Sequence, residues 1–136
     1  MTLVVISIRK SLSFFRLIDF PRTASYDDLA RVGPSVGFAI LELGGNPRVN
    51  DRFCTLFYHH RSLERLDLSQ TWITDDGVHN LVWMRRLRSL DLSSTGVTDG
   101  SLAMLVGMPS LAELDVSGTR CTAKGIKAFA KQRQEE

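Results

Sequence analysis

Leu63, Leu87 and Leu111 stand 24 residues apart, and each opens a phrase of the same shape. The first phrase carries Leu63, Leu66, Leu68, Thr71, Ile73 and Asp75. The second carries Leu87, Leu90, Leu92, Thr95, Val97 and Asp99, and the third Leu111, Leu114, Val116, Thr119, Cys121 and Ala123. A recurring unit of this length, with leucines at fixed offsets, predicts a stacked array rather than a fold with one centre. The question of function therefore becomes which face of the stack is used.

Within each phrase the alternation of Leu66 and Leu68, Leu90 and Leu92, or Leu114 and Val116 predicts a short half-buried strand. A helical run follows. Val78, Leu81, Val82 and Met84 recur at three- and four-residue spacing, as do Leu102, Leu105, Val106 and Met108, and then Ile126 and Phe129. Thr74, Thr98 and Thr122 precede these runs as N-caps, with Asp75, Asp76 and Asp99 in the first turn where the helix dipole favours negative charge.

The pattern continues upstream in weaker form. Phe38, Leu41, Leu43 and Asn46 match the phrase, with one extra residue at Pro47-Arg48, and Phe53, Leu56 and Phe57 supply the helical stripe. Earlier still, Ile18, Phe20 and Thr23 fit, and Ser25 with Asp28 marks a helix start before Leu29 and Val32. The expected division is one domain over 1–136. It has a capping segment at 1–16, degenerate repeats at 17–37 and 38–62, and clear repeats at 63–86, 87–110 and 111–136. The cap would be built from Leu3, Val5, Ile6, Ile8, Leu12, Phe14 and Phe15, because a terminal unit must present one face to water. The polar tail after Phe129 offers no matching cap, so the last strand is expected to leave a sheet edge.

The phrases Leu66-Asp67-Leu68-Ser69-Gln70-Thr71, Leu90-Asp91-Leu92-Ser93-Ser94-Thr95 and Leu114-Asp115-Val116-Ser117-Gly118-Thr119 resemble the leucine-rich repeat family. They are most like its bacterial, planctomycete-like 24-residue form, L-D-L-S-G-T-x-V-T-D-x-G-L. The resemblance implies an α/β solenoid, curved and right-handed, with a parallel sheet on the concave face and helices on the convex face. It implies a protein-binding module and no reaction. It also implies that Thr71, Thr95 and Thr119, standing where the family more generally has Asn, form an internal ladder bonding the backbone of neighbouring turns, while Asn46 keeps the general form. Two departures stand out. Ser101 replaces the glycine found at Gly77 and Gly125, with Gly100 one residue early, and Ala123 replaces the helix-start aspartate.

The residues that alternate with the leucines point to the concave face. They include Arg65, Asp67, Ser89, Asp91, Glu113 and Asp115, and Glu42, Asp67, Asp91 and Asp115 line up as an acidic row. Adjacent carboxylates about 5 Å apart repel by about 1 kcal/mol in water and about 3 at an effective dielectric of 20. A partner with a basic segment would relieve that repulsion. The alternative is that the aspartates belong to the family's habitual strand, solvated or bonded to neighbouring Ser and Arg.

Trp72 lies on the rim just past the ladder threonine, where Gly96 and Arg120 are its counterparts. It reads either as a binding anchor or as an indole lying over its own loop. Trp83 reads as convex-surface packing, and Arg85, Arg86 and Arg88 as a solvated loop. The partner-binding set is thus Arg65, Asp67, Trp72, Ser89, Asp91, Glu113, Asp115 and Arg120.

The remaining signals narrow the class. A net charge of +2, from 17 basic and 15 acidic residues, gives no basic excess for nucleic acid or an acidic membrane surface. The apolar run near the N-terminus is too short to span a bilayer and has its charges on the wrong side for a secretory signal. Cys54 and Cys121 have no metal-type spacing and read as free buried thiols of a reducing, cytoplasmic setting. His59 and His60 are adjacent and face different ways on a helix, which argues against a metal site. No catalytic triad, phosphate loop or paired carboxylates stand out. The expectation is a non-enzymatic module with a protein partner, no cofactor, no metal, no nucleic acid and no membrane. As a monomer it would bind through its concave sheet; the alternative is a structural or regulatory subunit docking end to end through its terminal repeats.

Overall fold

The computed structural model describes residues 7–10, 16–32, 37 and 39–135. Leu3, Val5, Ile6, Leu12, Phe14, Phe15 and Phe38, all assigned inward roles above, lie outside the described residues.

Six strands form one sheet in chain order: β1 (Ser7–Lys10), β2 (Arg16–Asp19), β3 (Ile40–Glu42), β4 (Arg65–Asp67), β5 (Ser89–Asp91) and β6 (Glu113–Asp115). β1 runs antiparallel to β2, and from β2 onwards every pairing is parallel. Each parallel strand is followed by one helix: α1 (Tyr26–Ala30), α2 (Asp51–Phe57), α3 (Asp75–Leu81), α4 (Asp99–Leu105) and α5 (Ala123–Gln134). The chain is an α/β repeat solenoid. Strands β3 to β6 are three residues long because only the central leucine must point inward; the flanking residues face outward before the chain turns.

The core is a set of aligned columns. Leu41, Leu66 and Leu90 pair in register across β3, β4 and β5 and are buried. Leu43, Leu68 and Leu92 form the next column, and Phe57, Leu81 and Leu105 seal it from the helix side. Val49, Ile73 and Val97 close the turn between strand and helix. Each fully buried leucine contributes about 1.5–3 kcal/mol.

The expected N-caps are in place: Thr74, Thr98 and Thr122 accept from the backbone N–H of Asp76, Gly100 and Gly125. Ser25 and Asp28 form a reciprocal capping box at α1. Between strand and helix the chain takes a left-handed step at Gly45, Gln70, Ser94 and Gly118, at φ 73°, 52°, 56° and 67°. Glycine holds that step freely, whereas Gln70 and Ser94 hold it at some cost in backbone energy.

The threonine ladder differs from what the family resemblance implies. Thr71, Thr95 and Thr119 donate to the carbonyls of Leu68, Leu92 and Val116, each within its own turn. Only Asn46 reaches back a full turn, its Nδ2 donating to the Ala24 carbonyl. The threonine hydroxyl is too short to cross to the next turn, whereas an amide can.

The bond between repeats is instead made at the helix starts. The Asp51 carboxylate accepts from the N–H and hydroxyl of Thr74, Asp75 from those of Thr98, and Asp99 from those of Thr122. This second ladder explains the two departures. A Cβ at Gly77 or Gly125 would collide with the carboxylate of Asp51 or Asp99. Ser101 escapes the conflict because its hydroxyl donates to Asp75. Ala123 has no carboxylate to offer onward.

Candidate functional site

The strand register brings the outward residues together in two parallel rows. Arg65, Ser89 and Glu113 pair in one; Glu42, Asp67, Asp91 and Asp115 pair in the other. The register sets position 19 of β2, an aspartate, opposite Glu42. Sequence reasoning stopped one strand short of it, although Ile18, Asp19 and Phe20 already repeat the pattern of Leu66, Asp67 and Leu68.

Arg65, Asp67, Ser89, Asp91, Glu113 and Asp115, with Glu42, line one open groove of about 270 Å³ on the sheet face. The floor is the backs of Leu66, Leu90 and Leu114. The groove is polar and shallow. It suits an extended chain lying across strands better than an enclosed small molecule, which typically occupies about 300–1,000 Å³ of largely apolar cavity.

The aspartates are braced by their own strands. Oδ1 of Asp67, Asp91 and Asp115 accepts from the backbone N–H of Ser69, Ser93 and Ser117, and the hydroxyls of Ser93 and Ser117 add a second bond. The two hydrogen bonds from Ser117, hydroxyl first and backbone second, hold the Asp115 carboxyl below its ordinary range. Asp67 also leans over Gly44, where a Cβ would press on both of its carboxylate oxygens and on Ser69. Self-bonding therefore fixes the direction of each carboxylate. Oδ2 of Asp91 and of Asp115 has no donor among the described residues, and both residues line the groove.

Trp72 and Arg120 do not line this groove. They sit on the adjoining rim, where successive backbone amides bond one turn back: Trp72 to Val49, Gly96 to Ile73 and Arg120 to Val97. The Trp72 indole is 72% exposed, so it does not lie down over its own loop.

On the opposite edge, where helices return to strands, Trp83 is 61% exposed rather than packed on the convex surface. It lines a groove together with Gly107, one repeat on.

The remaining polar candidates resolve by burial. His60 is buried and His59 exposed; burial, with the neighbouring His59, holds the His60 imidazole below its ordinary range. Among the described residues, no three His, Cys, Asp or Glu side chains are placed together to hold a metal ion. Cys54 and Cys121 are free; burial raises the Cys54 thiol. Cys121 is only half-buried, because nothing stacks on the last repeat among the described residues. No helix among the described residues is long and apolar enough to cross a membrane.

The Leucine Rich repeat family model matches residues 59–82 and 85–106, two adjacent units that contain β4, α3, β5 and α4. No curated protein matches the chain. Repeats of this family generally mediate protein–protein interaction and are typically non-enzymatic. The two matched units, stacked in register within one parallel sheet, are leucine-rich repeats of this family.

Proposed function

We propose that this protein is a non-enzymatic interaction module that takes an extended, basic segment of a protein partner across its concave sheet. The observation that carries the reading is the register: Glu42, Asp67, Asp91 and Asp115 lie strand by strand in one row along a single groove. Strands about 4.8 Å apart keep adjacent carboxylates close enough to repel. A chain bearing lysine or arginine at matching intervals relieves that repulsion and gains charge-assisted hydrogen bonds. Arg65 and Glu113, in the second row, set the polarity of the bound chain, since they put opposite charges at the two ends of that row. Trp72 and Arg120 extend the surface onto the rim, with residue types that dominate interface energetics.

The test is a triple variant, Asp67→Ser, Asp91→Ser and Asp115→Ser, used to capture partners beside the unaltered protein. Captured protein is expected to fall at least about tenfold, with unchanged circular dichroism. Capture undiminished by the triple variant contradicts the reading.

A second reading is favoured by one specific observation, the open face of the last repeat. Ile126 is 42% exposed there, and Leu114, Val116 and Phe129 are only half-buried. Docking through that end would make the protein a subunit of a larger assembly. Sedimentation of the purified chain separates the two: a monomer at high concentration argues against end-to-end association of copies.

A further inference from the structure

The edge opposite Trp72 carries chemistry that the concave reading does not use. Trp83, Met84 and Arg85, at the end of one helical turn, and Gly107, Met108 and Pro109, one repeat later, enclose a groove of about 350 Å³ with mainly apolar walls. The groove exists because the repeat is broken there. Trp83 has no large counterpart at position 107, and the two positions line the same groove.

The size suits one bulky side chain, being near the lower end of ligand pockets. Trp83 is not alone on this edge: Tyr58, on the preceding repeat, is 49% exposed, with the Arg61 guanidinium 4.9 Å from its ring centre.

The charge of this edge is mainly basic, four arginines against Glu64. Arg61, Arg85, Arg86 and Arg88 are exposed on it, and no carboxylate forms an ion pair with any of them among the described residues. Glu64 is the acid on this edge: its carbonyl accepts from the backbone N–H of Arg88 and Ser89, and it holds the place that Arg88 takes one repeat later. The chain's small net charge therefore conceals an uneven distribution, with acids predominating on the concave sheet and arginines on this edge. Arginines flanking an exposed tryptophan and an apolar slot form the combination that concentrates binding energy in protein interfaces.

We propose that this edge docks an acidic segment of another protein. One bulky apolar residue sits in the slot between Trp83 and Gly107, and its flanking carboxylates lie on Arg85 and Arg86. The slot selects the anchor and the arginines select the flanking charge, so neither alone suffices. This surface is separate from the concave groove, and the two readings stand or fall independently.

The test uses Trp83 fluorescence in a Trp72→Phe background. The probe is a short synthetic peptide of aspartate and glutamate with one central phenylalanine. Saturable change in Trp83 emission is expected. Gly107→Leu fills the slot; the added Cβ meets the Met104 carbonyl at an ordinary 3.6 Å, so the turn accepts it. Both Gly107→Leu and the pair Arg85→Glu with Arg86→Glu are expected to weaken binding at least about tenfold, with unchanged circular dichroism. A peptide with alanine in place of phenylalanine is expected to bind as weakly. The triple serine variant of the concave row is expected to bind the probe undiminished. The proposal is overturned by absence of saturable binding, by equal binding of the alanine peptide, by undiminished binding to Gly107→Leu, or by loss of binding in the concave triple variant.

Discussion

Leu90 and Leu114 hold the same place in the same phrase, and the fold treats them differently. Leu90 is 1% exposed, with β4 on one side and β6 on the other; Leu114 is half-buried, with β5 on one side only. The contrast extends through both repeats. Leu92, Val97 and Leu105 are fully buried, whereas Val116, Cys121 and Phe129 are half-buried. A leucine in a repeat array is thus not buried by its own unit. The next unit buries it, so identical residues carry different energies along the stack.

The comparison is broken or sharpened most directly by truncating both leucines. Leu90→Ala is expected to destabilise by about 3 kcal/mol, as a cavity between two neighbours. Leu114→Ala is expected to cost only about 1 kcal/mol, because part of its surface already meets water. Urea denaturation measures both. Equal costs would mean that the last repeat is covered in solution.

The two glycines of the helix-start ladder give the next largest effect. Gly77→Ala forces a methyl group against the Asp51 carboxylate, at an expected cost of about 1–2 kcal/mol. Gly77→Ser is expected to recover much of this, by offering Asp51 the bond that Ser101 gives Asp75. A serine variant no better than alanine would sever the link between the two positions.

The same ladder predicts a pH dependence. Burial alone would raise the Asp75 carboxyl, but hydrogen bonds from Ser101 and Thr98 outweigh it and hold Asp75 below its ordinary range. Asp99 is held low by Thr122, hydroxyl first and backbone second. A carboxyl lowered in the folded state stabilises fully above its unfolded pKa of about 3.9 and loses that contribution as pH falls through the lower folded value. Stability is therefore expected to drop below about pH 4. Asp75→Asn should flatten that acid limb while costing roughly 1–2 kcal/mol at pH 7, after allowance for solvent screening. Thermal melts across pH 2–7 follow it, and an unchanged acid limb in the variant would contradict the assignment.

The smallest effect is a gain. Ser94→Gly relieves a left-handed residue in the middle repeat and is expected to stabilise by up to about 1 kcal/mol. The equivalent residue in the last repeat, Gly118, already has this freedom. A loss of stability in Ser94→Gly would show that unfolded-chain entropy dominates that turn.

The leucine columns and threonine caps were legible because both follow from local spacing: alternation marks the strand, and a threonine before an apolar stripe marks the helix start. What escaped depends on the neighbouring repeat. Asp75 and Asp99 read as residues suited to a helix dipole, yet their carboxylates bind the next turn's Thr98 and Thr122. Thr71 read as a link between turns and closes its own turn instead. No single phrase contains this information, since it resides in the stacking geometry. The same holds for Trp83. A local reading packs it down, but the slot beside it exists only because Gly107 stands one repeat later. Within the acidic row, register joins the expected Glu42, Asp67, Asp91 and Asp115, while Trp72 and Arg120 stand apart on the rim.

The central claim, that the concave sheet is the binding face, is tested most directly by titrating a lysine-rich peptide into isotope-labelled protein at low salt and following backbone amide shifts. The account predicts saturable shifts concentrated at residues 65–67, 89–91 and 113–115, abolished in the triple serine variant. Shifts confined to the helices or to the Trp83 edge, or none at all, would contradict it.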